Sequence, residues 1–230
     1  MKISHLLVVS CFALVAGCAS GPPGQDLNEL KQKASAGDPV AQRQLGVAHD
    51  SGSSRNPNYQ EAARWYEIAA KQGDAIAQNN LGSLYENGLG VPKDFSKAFE
   101  LYRKSATQGF AMAQDSLGRM YDLGMGVATN EVEANAWYLR AAQQGDAQAM
   151  FNLGVNYGFG RGVPQDRVKA FMWLDLARFF TQRSPDIKTK WTIRGALDDL
   201  KKLMTPEEIR TGERLSREWY DDYTQKHKVG

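Results

Sequence analysis

The chain has 230 residues, with 28 basic against 26 acidic side chains and a formal net charge of +2 at pH 7. So even a balance gives no electrostatic case for nucleic acid or for an anionic lipid surface as a partner. The only cysteines are Cys11 and Cys18, which leaves no framework of disulfides.

Residues 1–17 read as an export signal. Lys2 supplies the positive start, and Leu6 to Val15 form an apolar run too short to span a bilayer. The run ends in Val15-Ala16-Gly17-Cys18, which resembles the lipobox of bacterial lipoproteins. That resemblance implies cleavage before Cys18 and a diacylglycerol thioether on Cys18. Several acyl chains, each methylene adding ~0.8 kcal/mol, would hold the protein on a membrane face. In Gram-negative lipoproteins an aspartate after the lipidated cysteine favours inner-membrane retention; here Ala19-Ser20 follows, so for a Gram-negative source the implied location is the outer membrane, facing the periplasm, with surface exposure as the other arrangement. A plain secretory signal with an unmodified Cys18 is the competing reading. Residues 18–26 are small and Gly- and Pro-containing and read as a tether.

Leu27 to Ala36 reads as a half-unit, a helix that caps the open end of a repeat array. From Gly37 the chain repeats every 36 residues. Gly37, Gly73, Gly109 and Gly145 keep that step, as do Leu45-Gly46, Leu81-Gly82, Leu117-Gly118 and Leu153-Gly154. Gly52, Gly88, Gly124 and Gly160 form a third column, and Ala62, Ala98, Ala134 and Ala170 a fourth. The copies run 37–72, 73–108, 109–144 and 145–180. A period in the thirties means stacked units whose apolar faces are buried by their neighbours.

In the second copy, Asp74 is the expected N-cap of a first helix running to about Asn87, which Gly88 ends. Leu89-Gly90-Val91-Pro92 is the turn, and Asp94 caps a second helix from Phe95 to about Gln108. Its inner face carries Ala98, Leu101, Tyr102, Ser105 and Ala106; other copies place Trp65-Tyr66, Trp137-Tyr138 and Trp173-Leu174 where Leu101-Tyr102 stands, and these aromatics read as core. Gly82 and its equivalents sit inside first helices, each costing roughly 1 kcal/mol relative to alanine. A cost repeated at one column implies close approach of the paired helix.

The motif Ala77-Gln78, Leu81-Gly82, Tyr85, Gly88-Leu89-Gly90-Val91-Pro92-Lys93-Asp94, Ala98, Tyr102, Ala106 resembles the Sel1-like repeat, a branch of the tetratricopeptide-like solenoids. The first copy departs from it, with Ser54-Arg55-Asn56 at the turn and His49 at the tyrosine position; the third has Ala128 for the proline. The resemblance implies an all-α, right-handed α-solenoid of four helix-turn-helix repeats, closed by an N-terminal helix and C-terminal capping helices. It also implies that first helices line the concave side and that positions flanking each Leu-Gly pair meet a protein partner. These positions are Arg43, Val47 and Asp50; Asn79, Ser83 and Glu86; Asp115, Arg119 and Asp122; and Phe151 and Val155. Phe151 is either an aromatic anchor for the partner or a residue tilted inward under the C-terminal extension.

After residue 180 the period fails, and residues 181–223 form a helical extension. Ile187, Trp191, Leu197, Leu200, Leu203 and Met204 follow helical spacing, and Thr205-Pro206-Glu207-Glu208 is a capping box with proline at its first position. Leu215 and Trp219 fall one turn apart on the next helix. Lys188, Lys190, Arg194, Lys201 and Lys202 read as a solvated face balanced by Asp186, Asp198 and Asp199; an anionic glycan or headgroup contact is the sharper alternative. Residues 224–230 form a polar tail.

No cluster of activated side chains announces catalysis. His5, His49 and His227 have no metal spacing, and Gly158-Phe159-Gly160-Arg161-Gly162 matches the repeat columns of a turn better than a phosphate loop. No cofactor, metal or catalytic residue is assigned. The expected function is a membrane-anchored protein-interaction adaptor in an envelope process, with a surface-exposed binding factor or, from β-lactam-linked members of the class, an enzyme as alternatives. A lipidated solenoid needs no self-association to be stable, so a monomer is expected.

Overall fold

The computed structural model describes residues 27–50, 57–182 and 186–227. The export signal, Cys18, the tether, the turn at 51–56 and residues 228–230 of the tail lie outside the described residues. Eleven α-helices occur among those described, and no strand. They are α1 (Leu27–Ser35), α2 (Pro39–Asp50), α3 (Tyr59–Lys71), α4 (Ala75–Asn87), α5 (Phe95–Thr107), α6 (Ala111–Leu123), α7 (Glu131–Ala142), α8 (Ala147–Phe159), α9 (Arg167–Phe180), α10 (Ile187–Lys201) and α11 (Pro206–Lys226). None of them is long and apolar enough to cross a membrane.

The polar residues that start these helices do so by satisfying backbone donors left free in the first turn. Asp74 accepts from the Ala77 N–H at 2.7 Å and Asp94 from the Lys97 N–H at 3.0 Å. Asn130, Asp146 and Asp166 repeat the device. The third copy lacks it: Phe110 stands at the N-cap of α6 without a side-chain bond. In α11, Thr205 and Glu208 close a capping box, with Pro206 in the first turn.

From α1 to α10 each helix packs against the next, so that α2·α3, α4·α5, α6·α7 and α8·α9 are hairpins and each hairpin leans on its successor. Inside a hairpin the helices meet ring against backbone. A Cβ on Gly82 would stand 3.0 Å from the Tyr102 ring; on Gly118 it would stand 2.7 Å from Tyr138, and on Gly154 2.6 Å from Leu174. The close approach inferred for this column is therefore made chiefly by one buried side chain of the partner helix. Between hairpins, Gly126 (φ +72°) turns the chain directly against the backbone of Phe95 in the preceding repeat, where any Cβ would collide.

The apolar core is a row of clusters, one per seam, and the largest closes the C-terminal end. There α11 lies on α9: Trp219 meets Trp173 edge-on at 5.8 Å, Gly212 sits under Phe171, and Ser216 donates to Asp175 at 2.8 Å. The α10 helix reaches α9 through Ile193 and Leu197, the buried side chains of that segment. Trp191 and Leu203, expected on the same apolar face, are instead 67 % and 64 % exposed. Trp191 precedes Ile193 by two residues, a rotation of about 200° at 3.6 residues per turn, and Leu203 lies beyond the end of α10.

Candidate partner-binding face

The first helices α2, α4, α6 and α8 share one face, and its polar side chains bond from repeat to repeat. Arg43 donates to Asp74 at 3.1 Å. Arg119 reaches back to Glu86 with both guanidinium nitrogens, at 2.5 and 2.9 Å. Asn152 donates to Asp115 at 3.1 Å, and Arg161 to Asp122 at 2.5 Å. The bonds run across the seams between hairpins, so side chains from separate repeats form one continuous wall.

Behind this wall lies a second layer. In the first two copies the tyrosine of the second helix donates to a carboxylate of its own first helix: Tyr66 to Asp50 at 3.2 Å and Tyr102 to Glu86 at 2.8 Å. Tyr138 and Asp122 occupy the same two places in the third copy. In the fourth both members change together, to Leu174 and Gly158, so neither a buried hydroxyl nor a buried carboxylate is left without its mate.

A glutamine ladder holds the far end of the first three hairpins. Gln72 donates to Gln42 at 2.6 Å, Gln108 to Gln78 and Gln144 to Gln114 at 2.8 Å. The inner glutamines donate onward to carbonyls of Ala34, Ala70 and Ala106. In the fourth copy the two places hold Met150 and Phe180, both part of the apolar cluster that the C-terminal helices complete.

Charge on this face is unevenly matched. Burial pushes the Glu86 carboxyl up, but the bonds and charge of Arg119, with the Tyr102 hydroxyl, outweigh it and hold Glu86 below the usual carboxylate range. Asp115 goes the other way: burial and the nearby Asp146 carboxylate raise it, because Arg119 is committed to Glu86 and Asn152 offers only a neutral donor. Burial likewise raises Asp146 and Asp50.

The residues expected to meet a partner fall into three groups. Arg43, Asp50, Glu86, Asp115, Arg119 and Asp122 are half-buried and joined in the bonds just described. Ser83 and Val155 are half-buried on the same helices, while Val47 and Phe151 pack on apolar clusters of the first seam and of the last repeat. Asn79 is different: it is 5 % exposed, donates to Asn80 at 3.2 Å, and is not open to a partner. Its place in the sequence matches Arg43 and Asp115, but a short amide stays against the helix where a guanidinium reaches out. Asp74, Asn152 and Arg161 also belong to the wall, a role the sequence did not assign to them. The glutamine ladder was missed as well, although both of its columns keep the 36-residue step through three copies. Among the described residues no group of three or more histidines, cysteines and acids could hold a metal ion.

The Sel1 repeat family matches residues 39–74, 75–110, 111–146 and 147–178, more than half of the chain. No curated protein matches it. Among solved structures it is similar to a protective antigen of uropathogenic Escherichia coli strains displaying an SLR fold, at 31 % identity and a TM-score of 0.77. That match covers 88 % of this chain but 44 % of the other, so the chain spans less than half the length of that relative. It is also similar to a Sel1 repeat protein from Oxalobacter formigenes, at 28 % identity and a TM-score of 0.60, over 87 % of this chain and 93 % of the other.

Proposed function

The chain belongs to the Sel1 repeat family, whose members are generally protein-interaction scaffolds rather than enzymes, and from that premise we propose that it is a lipid-anchored adaptor of the bacterial outer membrane. The observation that carries this reading is the contrast between columns. Packing positions hold from copy to copy, whereas the half-buried first-helix positions differ: Arg43, Asp115 and Phe151 in one column, Val47, Ser83, Arg119 and Val155 in another. Packing asks for repetition. A surface that reads an asymmetric partner asks for difference.

The lipobox-like Val15-Ala16-Gly17-Cys18 supplies the anchor in this reading. A tethered groove raises the local concentration of its partner at the membrane without any further contact. The test is to crosslink intact cells and isolate the native chain beside a Ser83→Arg/Val155→Arg variant. Both changes lie in the column where Arg119 stands naturally, and unchanged helical content checks that the variant still folds. A protein recovered with the native chain and lost with the variant supports the adaptor reading; identical recoveries remove the groove from it. Cys18→Ser should release the chain from the membrane fraction, and retention there would reject the lipid.

A second reading is favoured by one similarity. The Escherichia coli relative is described as a protective antigen, which suits a chain displayed on the cell surface. Protease treatment of intact cells separates the two, because a periplasmic chain survives it.

A further inference from the structure

Gly195 lies inside α10, exposed, with nothing within 4 Å of the place a Cβ would take. A glycine in an exposed helix interior costs about 1 kcal/mol relative to alanine. Every other helical glycine among the described residues has a neighbour at its Cβ position: Tyr66, Tyr102, Tyr138, Leu174, Ala170 or Phe171. Nothing among the described residues accounts for Gly195. One turn before it stands Trp191, the large aromatic of this helix, with 67 % of its surface in water. Lys188, Trp191, Gly195 and Asp198 are all exposed and share the face of α10 opposite Ile193 and Leu197.

We propose that this face of α10 is a homodimer interface, on which a second copy of the chain lies antiparallel about a twofold axis level with Ile193. The helix is self-complementary about that point. Trp191 and Gly195 stand two residues to either side of it, so the twofold sets the indole of each copy over the bare backbone at Gly195 of the second copy. Lys188 and Asp198 stand five residues to either side, so each ammonium faces a carboxylate across the interface. A parallel arrangement would set Lys188 against Lys188 and Asp198 against Asp198, which repel. A twofold contact uses both seats and closes, leaving no free end to propagate. Tryptophan is enriched among side chains that dominate association, and the flanking charges select the register.

One helix pair buries less than the ~1,200 Å² of a standard stable interface, so association in free solution is weak and depends on concentration. The interface leaves the first-helix face open, and its failure would not touch the adaptor reading. It replaces the expectation of a monomer.

The test measures the protein mass of the full chain in detergent by light scattering over a concentration series. The native chain should pass from one to two copies as concentration rises. Trp191→Ala and Gly195→Leu should each move the midpoint up by about tenfold or more, with helical content unchanged because both positions are exposed on α10. Lys188→Asp should weaken association by placing two carboxylates together, and Lys188→Asp/Asp198→Lys should restore it. A single copy at every concentration overturns the proposal. So does a dimer indifferent to Trp191→Ala and Gly195→Leu, and a double charge exchange that fails to restore pairing overturns the antiparallel register.

Discussion

Arg119 on α6 spans both carboxylate oxygens of Glu86 on α4, across the seam between the second and third repeats. The pair is shielded, with the Glu86 side chain only 13 % exposed, and Tyr102 adds a third bond to the same carboxylate. Removing one member of such a pair leaves the other charged and poorly solvated, which costs more than removing both. Arg119→Met should therefore destabilise the chain by about 1–3 kcal/mol, and Arg119→Met/Glu86→Gln by clearly less. Urea unfolding of the two single variants and the double variant gives the coupling energy. A double variant as unstable as the sum of the singles would show that the bidentate contact contributes nothing of its own.

The glycine columns make a prediction in which one substitution has opposite signs at two places. A Cβ on Gly118 meets the Tyr138 ring at 2.7 Å and the Ala134 carbonyl at 3.1 Å, and Tyr138 is fully buried with nowhere to move. Gly118→Ala should cost about 1–3 kcal/mol by overpacking. Gly195→Ala enters open space and should stabilise the monomer by about 0.5–1 kcal/mol through helix propensity. Thermal melts of dilute protein check both. A stabilised Gly118→Ala would mean that Tyr138 is not held where the packing places it.

Columns that are identical in several copies could be read from sequence, and columns that change together could not. The Leu-Gly pairs, the caps Asp74 and Asp94 and the buried tyrosines all follow from period and propensity, because packing at a repeated seam imposes the same side chain each time. The wall was only half legible. Spacing placed Glu86 and Arg119 on one face, but their union depends on which rotamers reach across a seam. Asn79 was misjudged because a position equivalent to Arg43 and Asp115 does not give a shorter side chain the same reach. Trp191 was misread because apolar spacing says which residues share a helix, while the partner helix decides which face is covered.

The joint change of Tyr138 and Asp122 to Leu174 and Gly158 in the next copy is testable as a pair. Leu174→Tyr alone buries a hydroxyl where Gly158 offers no acceptor, and an unsatisfied buried group of that kind costs about 1–3 kcal/mol. Adding Gly158→Asp supplies the carboxylate that Asp50 and Glu86 supply to Tyr66 and Tyr102. The double variant should recover most of the loss. Equal instability of the single and double variants would mean that the fourth copy uses leucine for shape rather than for want of a partner.

Asp115 contributes to the pH dependence of the wall. Burial, with the Asp146 carboxylate close by, pushes Asp115 up to about 8 from an ordinary 3.8. A carboxyl whose folded value lies above its unfolded value binds its proton more tightly in the folded chain. Its contribution to stability is therefore present at low pH and is lost as pH rises from about 4 towards 8. Asp115→Asn keeps the oxygen that accepts from Asn152 and removes the charge, so it should stabilise the protein by about 1–2 kcal/mol at pH 8 and by almost nothing at pH 4. Melting temperatures of both chains across that range are the measurement. A constant difference between them would mean that Asp115 stays ionised in the fold, its charge held by Arg119 despite the bidentate claim of Glu86.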